Sequence, residues 1–262
     1  GHRVRELAGR DADESNDLAA GALADGPDGL VVVGGDGMVH LAVQHLAGTT
    51  VPLGVIPAGT GNDVARYLGV PRRNPAAAAA VVGRGHVRKM DLARAGSVYY
   101  ATVLAAGFDS QVNERANRLT WPRGQMRYNV AVAAELRTFA PVRFSLELDG
   151  VRRELDAMLV AVGNGPSYGG GLRMCEGAVL DDGQLDVVVI KPVGRLELVR
   201  VFPRLFSGTH VTHPQYEHHR VTRVSLAAAG IAAYADGERV GALPLTVESV
   251  PRAVTVFAAQ PG

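Results

Sequence analysis

The chain of 262 residues has a single cysteine, Cys175, so no internal disulfide can form, and that scarcity fits a reducing compartment. Lysine is nearly missing as well: Lys89 and Lys191 are the only two, so almost all positive charge sits on arginine, which suits bidentate phosphate contacts. An excess of either charge is also lacking. The 27 basic and 26 acidic residues leave a formal charge of +1, which excludes a global field for holding nucleic acid and leaves any anionic partner to a local patch. Long apolar runs are absent. The longest, such as 76–82 and 155–162, fall well short of the roughly 20 residues that span a bilayer, so no transmembrane segment is expected. The start, Gly1-His2-Arg3, lacks the charged region and apolar core of a signal peptide, so it reads as a point inside a longer, cytoplasmic protein.

What the chain does have is 47% hydrophobic residues, enough for one large domain or two modest ones. The first third alternates helix and strand signals. A helix from about Asp13 to Ala24 is stopped by Asp25-Gly26-Pro27, and Leu30 to Val33 reads as a buried parallel strand. That strand enters Gly34-Gly35-Asp36-Gly37, after which Val39, Ala42, Val43 and Leu46 keep helical spacing. A second strand, Val51 to Ile56, enters Pro57-Ala58-Gly59-Thr60-Gly61, and Asn62 is placed to cap the helix that follows. Two successive strand, glycine loop, helix units predict an open, mostly parallel sheet with both loops at its carboxyl edge, where such sheets bind ligands.

From about Lys89 the pattern turns to β segments with short turns: 99–105, 144–148, 152–162, 185–190 and 221–226. Two helical insertions interrupt them, near 125–139 and 195–206. We therefore expect an α/β domain over 1–89 and a mainly antiparallel β domain over 90–262 whose last strand is free to return to the first domain, with a cleft between the two.

Glycines at Gly34, Gly35 and Gly37 permit the dihedrals and the close backbone approach that phosphate binding requires. A carboxylate in the middle of such a loop would repel phosphate unless a cation intervened, so Asp36 suggests a Mg²⁺-nucleotide; a capped strand-to-helix turn is the plainer reading. Gly59, Thr60 and Gly61 bring a hydroxyl and flexible backbone to the same edge, followed by Asn62 and Asp63. No G-x-x-x-x-G-K-[ST] occurs, and no G-x-G-x-x-G follows a strand, which excludes a P-loop and argues against a dinucleotide fold.

The run Gly34-Gly35-Asp36-Gly37-Met38-Val39-His40, paired with Pro57-Ala58-Gly59-Thr60-Gly61-Asn62-Asp63-Val64-Ala65-Arg66, resembles the double signature of the diacylglycerol kinase catalytic family, which includes sphingosine kinases. The resemblance continues through Lys89-Met90-Asp91, Gly169-Gly170-Gly171, Asp181-Asp182-Gly183 and Asp236-Gly237-Glu238. It places the family's opening strand, with an asparagine-proline turn, before Gly1.

This resemblance implies an ATP- and Mg²⁺-dependent lipid kinase, with diacylglycerol as the simplest acceptor and phosphatidic acid as product. Gly34, Gly35, Gly37, Gly59, Thr60, Gly61 and Asn62 would line the ATP site, and Asp36, Asp63 and Asp91 would hold catalytic Mg²⁺. The carbonyls of Val179 and Gln184 with the carboxylate of Asp182 would bind a second Mg²⁺, although Asp182-Gly183 reads equally as a hairpin turn. Glu238 would be the general base. Asp236, taken to share an extended strand face with it, is the reserve candidate, and a plain hairpin turn is the bland reading of both.

Two departures from the family pattern are Met38, where threonine is common, and Glu176, where proline is frequent. A lipid acceptor implies peripheral association with the membrane surface from the cytoplasm; no nucleic-acid partner is expected, and a homodimer stays open. The alternatives are an NAD kinase-like enzyme with a soluble substrate and a catalytically weak nucleotide-binding regulator. His210, His213, His218 and His219 read as a solvated loop, with zinc ligation or a pH-sensitive lipid contact as the other choices. The basic amphipathic stretch 195–206 packs on the β domain or docks to membrane, as does the group Arg118, Trp121, Pro122, Arg123 and Arg127.

Overall fold

A computed structural model describes residues 2–118 and 140–260, with Trp121, Val130 and Ala134 between them. The predicted helix near 125–139 and most of the tryptophan-arginine group lie outside the described residues; Trp121 itself is exposed.

The α/β unit forms as the periodicity requires. Asp11 caps α1 (Ala12–Ala24) by accepting the Glu14 amide, and β1 (Leu30–Gly34) lies parallel to β2 (Leu53–Pro57) with Leu30 opposite Leu53 and Gly34 opposite Pro57. Between them runs α2 (Asp36–Leu46), which buries Val39, Ala42, Val43 and Leu46. The parallel register puts both glycine loops side by side at one edge, where the Ala58 amide donates to the Gly34 carbonyl at 2.9 Å. A short helix, α3 (Asp63–Tyr67), follows the second loop, and Asn74 caps α4 (Pro75–Gly83), which starts on proline as a first turn allows.

β3 (Val87–Ala95) and β4 (Val98–Tyr100) lead to β5 (Val103–Gly107) and α5 (Phe108–Arg118). Then come β6 (Val142–Leu148), β7 (Val151–Ala157), β8 (Leu159–Gly163), β9 (Leu185–Ile190), α6 (Arg195–Ser207), β10 (Tyr216–Val221), β11 (Arg223–Ala227), β12 (Ala232–Ala235), β13 (Glu238–Ala242) and β14 (Leu245–Phe257). Among the described residues these make two sheets. One has eight strands, ordered β1-β2-β14-β11-β6-β7 with β3 on β14 and β4 on β3; the other is antiparallel, ordered β10-β9-β8-β5-β12-β13.

The architecture is the expected one, an α/β unit followed by an antiparallel β sandwich. The last strand joins them: near its end β14 runs parallel to β2, with Val256 opposite Leu53, while along its length it pairs antiparallel with β3 and β11. One apolar cluster lies beneath the α/β helices, a second fills the space between the sheets around Tyr100, Phe144 and Leu226, and a third covers the outer face of the six-stranded sheet.

Two of the predicted strands are each two strands. The run 99–105 breaks at Ala101-Thr102, where the chain passes from the first sheet to the second and both amides go to the Asp236 carboxylate instead of to a strand. The run 152–162 breaks at Met158, whose amide donates to the Ile190 carbonyl as β7 gives way to β8 in the other sheet. A continuous apolar pattern carries no mark of such a corner, because both halves are buried.

The histidine-rich segment is not a solvated loop. His210 is buried, His218 and His219 lie on β10, and His213, His218 and His219 meet three different carboxylates, Glu197, Asp186 and Glu217. No cluster of three or more histidine, cysteine or acidic side chains fit for a metal occurs among the described residues.

Candidate active site

The two glycine loops are packed backbone to backbone. A Cβ on Gly59 would stand 2.4 Å from the Gly35 Cα, and one on Gly34 would stand 2.5 Å from the Met38 Cγ, so neither position has room for a side chain. Met38 is spent on this packing and on the core beneath α2. Asn62 does not cap α3 as expected. It adopts a left-handed conformation (φ 54°), and its amide closes the second loop on itself, donating to the Gly59 carbonyl at 2.7 Å and accepting the Gly59 amide at 3.1 Å. Thr60 stands exposed at the loop tip.

Asp36 opens α2, and one of its oxygens accepts the Asp63 amide at 2.8 Å and the Val64 amide at 3.3 Å. Burial, and after it the charge of Asp63, raises the Asp36 pKa, with the two amide bonds opposing and Asp236 adding to the rise. Its other oxygen faces Gly61, where a Cβ would come within 2.6 Å. A divalent cation at this point would relieve the crowding of negative charge, so the donor set fits Mg²⁺ with Asp36 as the direct ligand. The N-terminus of α2 has no side-chain cap, which leaves amides at its first turn for an anion.

Asp63 is fully engaged. Its carboxylate accepts from Arg66, from the Ser167 hydroxyl at 2.8 Å and from the Gly170 amide at 2.8 Å, while Arg66 also reaches the carbonyls of Gly61 and Gly170. Gly169, Gly170 and Gly171 all have positive φ (60°, 88° and 112°), which lets the second domain lay bare backbone against the second loop. Ser167, Arg66 and His40 were not assigned roles from sequence. Only their place in or near the signature runs could have flagged them.

Asp91 is not brought to Asp36 and Asp63. Its buried carboxylate accepts the Arg252 amide at 2.6 Å and the Gly183 amide at 2.7 Å, so it clamps β3, β14 and the Asp181-Asp182-Gly183 loop. In that loop one oxygen of Asp182 accepts the Gln184 amide at 3.0 Å and the other pairs with Arg220; Val179 is partly exposed. A guanidinium already neutralises Asp182, so a metal held with the carbonyls of Val179 and Gln184 would have to displace Arg220. Glu176 is likewise paired, with Arg173.

Asp236 and Gly237, both at positive φ (52° and 92°), form the tight turn between β12 and β13. Asp236 therefore does not share an extended strand face with Glu238, and its carboxylate has no lone pair to spare for catalysis. It accepts the Ala101 and Thr102 amides at 2.9 Å each and the Thr102 hydroxyl at 2.5 Å, and it meets His40 Nδ1 at 3.3 Å. Asp236 thus fixes the hairpin against α2 and the sheet-crossing corner. Glu238, first residue of β13, is exposed, and its Oε1 lies 3.6 Å from the Cβ position of Gly37. A carboxylate from the second domain faces the N-terminal end of α2 in the first.

The diacylglycerol kinase catalytic domain model matches residues 1–95, and the YegS C-terminal NAD kinase beta sandwich-like domain model matches residues 102–258. A diacylglycerol kinase of Mycobacterium tuberculosis (strain CDC 1551 / Oshkosh) is 45% identical over 260 residues, covering 97% of this chain and 84% of its own length. That of Bacillus subtilis (strain 168) is 29% identical over 221 residues, covering 83% and 73%. The crystal structure of a diacylglycerol kinase from Bacillus anthracis str. Sterne superposes with a TM-score of 0.77 at 26% identity, over 97% of this chain and 85% of that one. An NAD kinase from Archaeoglobus fulgidus in complex with ATP shares the fold, with a TM-score of 0.53 at 15% identity over 94% and 81%. The paired loops at one sheet edge, the facing hairpin and these likenesses agree: the chain belongs to the diacylglycerol kinase family and is a kinase, a phosphotransferase.

Proposed function

We propose that the chain transfers the γ-phosphoryl group of ATP to the hydroxyl of a lipid alcohol, most simply diacylglycerol, giving phosphatidic acid. The observation that carries this is Glu238, a carboxylate aimed at the uncapped N-terminus of α2 beside Asp36. Backbone amides of Gly35, Gly37 and Gly61 would bind the phosphates, with Thr60 as a hydroxyl donor and Asn62 holding the Gly59 amide to keep the loop closed. Mg²⁺ at Asp36, in the field of Asp63, would neutralise charge on the transferred phosphoryl group. Glu238 takes the proton of the acceptor hydroxyl as its oxygen bonds to the γ-phosphorus, and the bond from that phosphorus to the β–γ bridging oxygen breaks, releasing ADP.

The lipid acceptor is supported by the relatives named diacylglycerol kinase. No helix among the described residues is long and apolar enough to cross a membrane; to reach a lipid acceptor the enzyme would work at a membrane surface. Incubation of the protein with γ-labelled ATP, Mg²⁺, a panel of micellar lipids and NAD tests this. Label should enter diacylglycerol. Label in NAD or another soluble acceptor and in no lipid contradicts the proposal.

A further inference from the structure

The outer face of α6 is apolar and has no role in the chemistry above. At 100° per residue, Phe206, Val199, Pro203 and Leu196 fall in one arc of about 80°. Leu196 is 78% exposed, Val199 56% and Phe206 51%, and Pro203 is exposed too. Leu205, on the opposite side, is buried in the cluster that covers the six-stranded sheet. The helix therefore already anchors itself with its inner face, and Leu196 and Val199 on its outer strip are left largely exposed.

We propose that this strip is the membrane-docking surface, inserting Leu196, Val199, Pro203 and Phe206 at the acyl boundary of an anionic bilayer while Arg200 meets lipid phosphates. Charge decides the occupant. The helix has three arginines against one acidic residue, Glu197, and Glu197 is held by His213 at 3.0 Å. Arg200 stands exposed at the edge of the apolar arc. Such a helix lies in the interface of a negatively charged membrane. A two-fold pairing of the same strip between copies would instead bring like charges together.

Its place also suits a lipid acceptor, and the inference rests on that reading for its purpose. The Arg173 amide donates to the Leu205 carbonyl at 2.9 Å, while Gly170 bonds to Asp63. Three residues span at most about 11 Å, so α6 is tethered close to the second phosphate loop.

The test is co-sedimentation of the full chain with vesicles of phosphatidylcholine alone or mixed with phosphatidylglycerol, read without turnover. Wild type should bind the mixed vesicles, more weakly as salt rises. Leu196→Ser with Val199→Ser should lose about tenfold or more in partitioning, and Arg200→Glu about fivefold or more, with melting temperatures unchanged. Both variants should keep kcat on a short-chain acceptor dissolved as monomers and lose rate only on vesicles. Failure of wild type to bind vesicles, equal binding to neutral and anionic vesicles, unchanged partitioning of the variants, or a dimer that the serine variant dissolves each overturns the proposal. If the variants lose vesicle binding but wild type phosphorylates no lipid, the docking surface stands and the lipid-kinase reading falls.

Discussion

Gly59 and Gly35 show how little the two glycine loops tolerate, because the loops approach through bare backbone rather than through side chains that could yield. Gly59→Ala has no open direction for its methyl group, and overpacking of this kind costs about 1–3 kcal/mol. If this loop receives the nucleotide as proposed, the strain falls on it, and ATP affinity measured by calorimetry should drop by about tenfold or more, with a smaller effect on melting. Unchanged affinity would show that the loops part freely. That these two glycines sit in tight loops at one sheet edge was legible from sequence, since spacing and residue type carry that information. The roles of Asp36, Asp91 and Asp236 were not separable there. All three are aspartates in signature motifs, and only the structure shows that each Asp91 oxygen accepts a backbone amide, that Asp236 accepts two amides and the Thr102 hydroxyl, and that one oxygen of Asp36 faces Gly61.

The edge strand β10 carries a cluster of charge that the fold depends on. Burial pushes the pKa of Glu217 up, but Lys191, His219 and Arg153 outweigh it and hold the carboxyl down at about 2. A depressed folded-state value means that its contribution is present above the ordinary value of about 4.5 and is lost as pH falls toward about 2. Thermal melts from pH 5 to pH 2 should fall more steeply in wild type than in Glu217→Gln; parallel curves would remove Glu217 from the account. The Asp182 turn gives a second test. If Mg²⁺ displaces Arg220 there, Asp182→Ala abolishes the Mg²⁺-dependent part of the thermal shift that remains once Asp36 is replaced by Asn. An unchanged shift leaves Asp182 as the partner of Arg220 alone. Most elements were legible because helical and strand periods are local. The sheet corners at Ala101-Thr102 and Met158 were not, because what breaks those strands is a carboxylate and a carbonyl distant in sequence.

Over the whole molecule, β14 and Asp236 join the halves that the chemistry needs to hold together. β14 completes the sheet beneath the first domain while pairing with strands of the sandwich, and Asp236 ties the hairpin that carries Glu238 to α2 through His40. The division into an α/β unit and a β sandwich was readable from the switch of period near Lys89. The pairing of Val256 with Leu53 was not, because it joins segments separated by most of the chain. The consequence is that the glycine-loop edge of one domain faces a carboxylate of the other, Glu238 beside Gly37. Glu238→Gln tests that arrangement most directly, since it keeps size and shape while removing basicity. The account predicts a kcat lower by about 10²- to 10⁴-fold on the best lipid acceptor, with ATP affinity and melting temperature unchanged. Turnover within a few-fold of wild type by a folded, ATP-binding variant would contradict it.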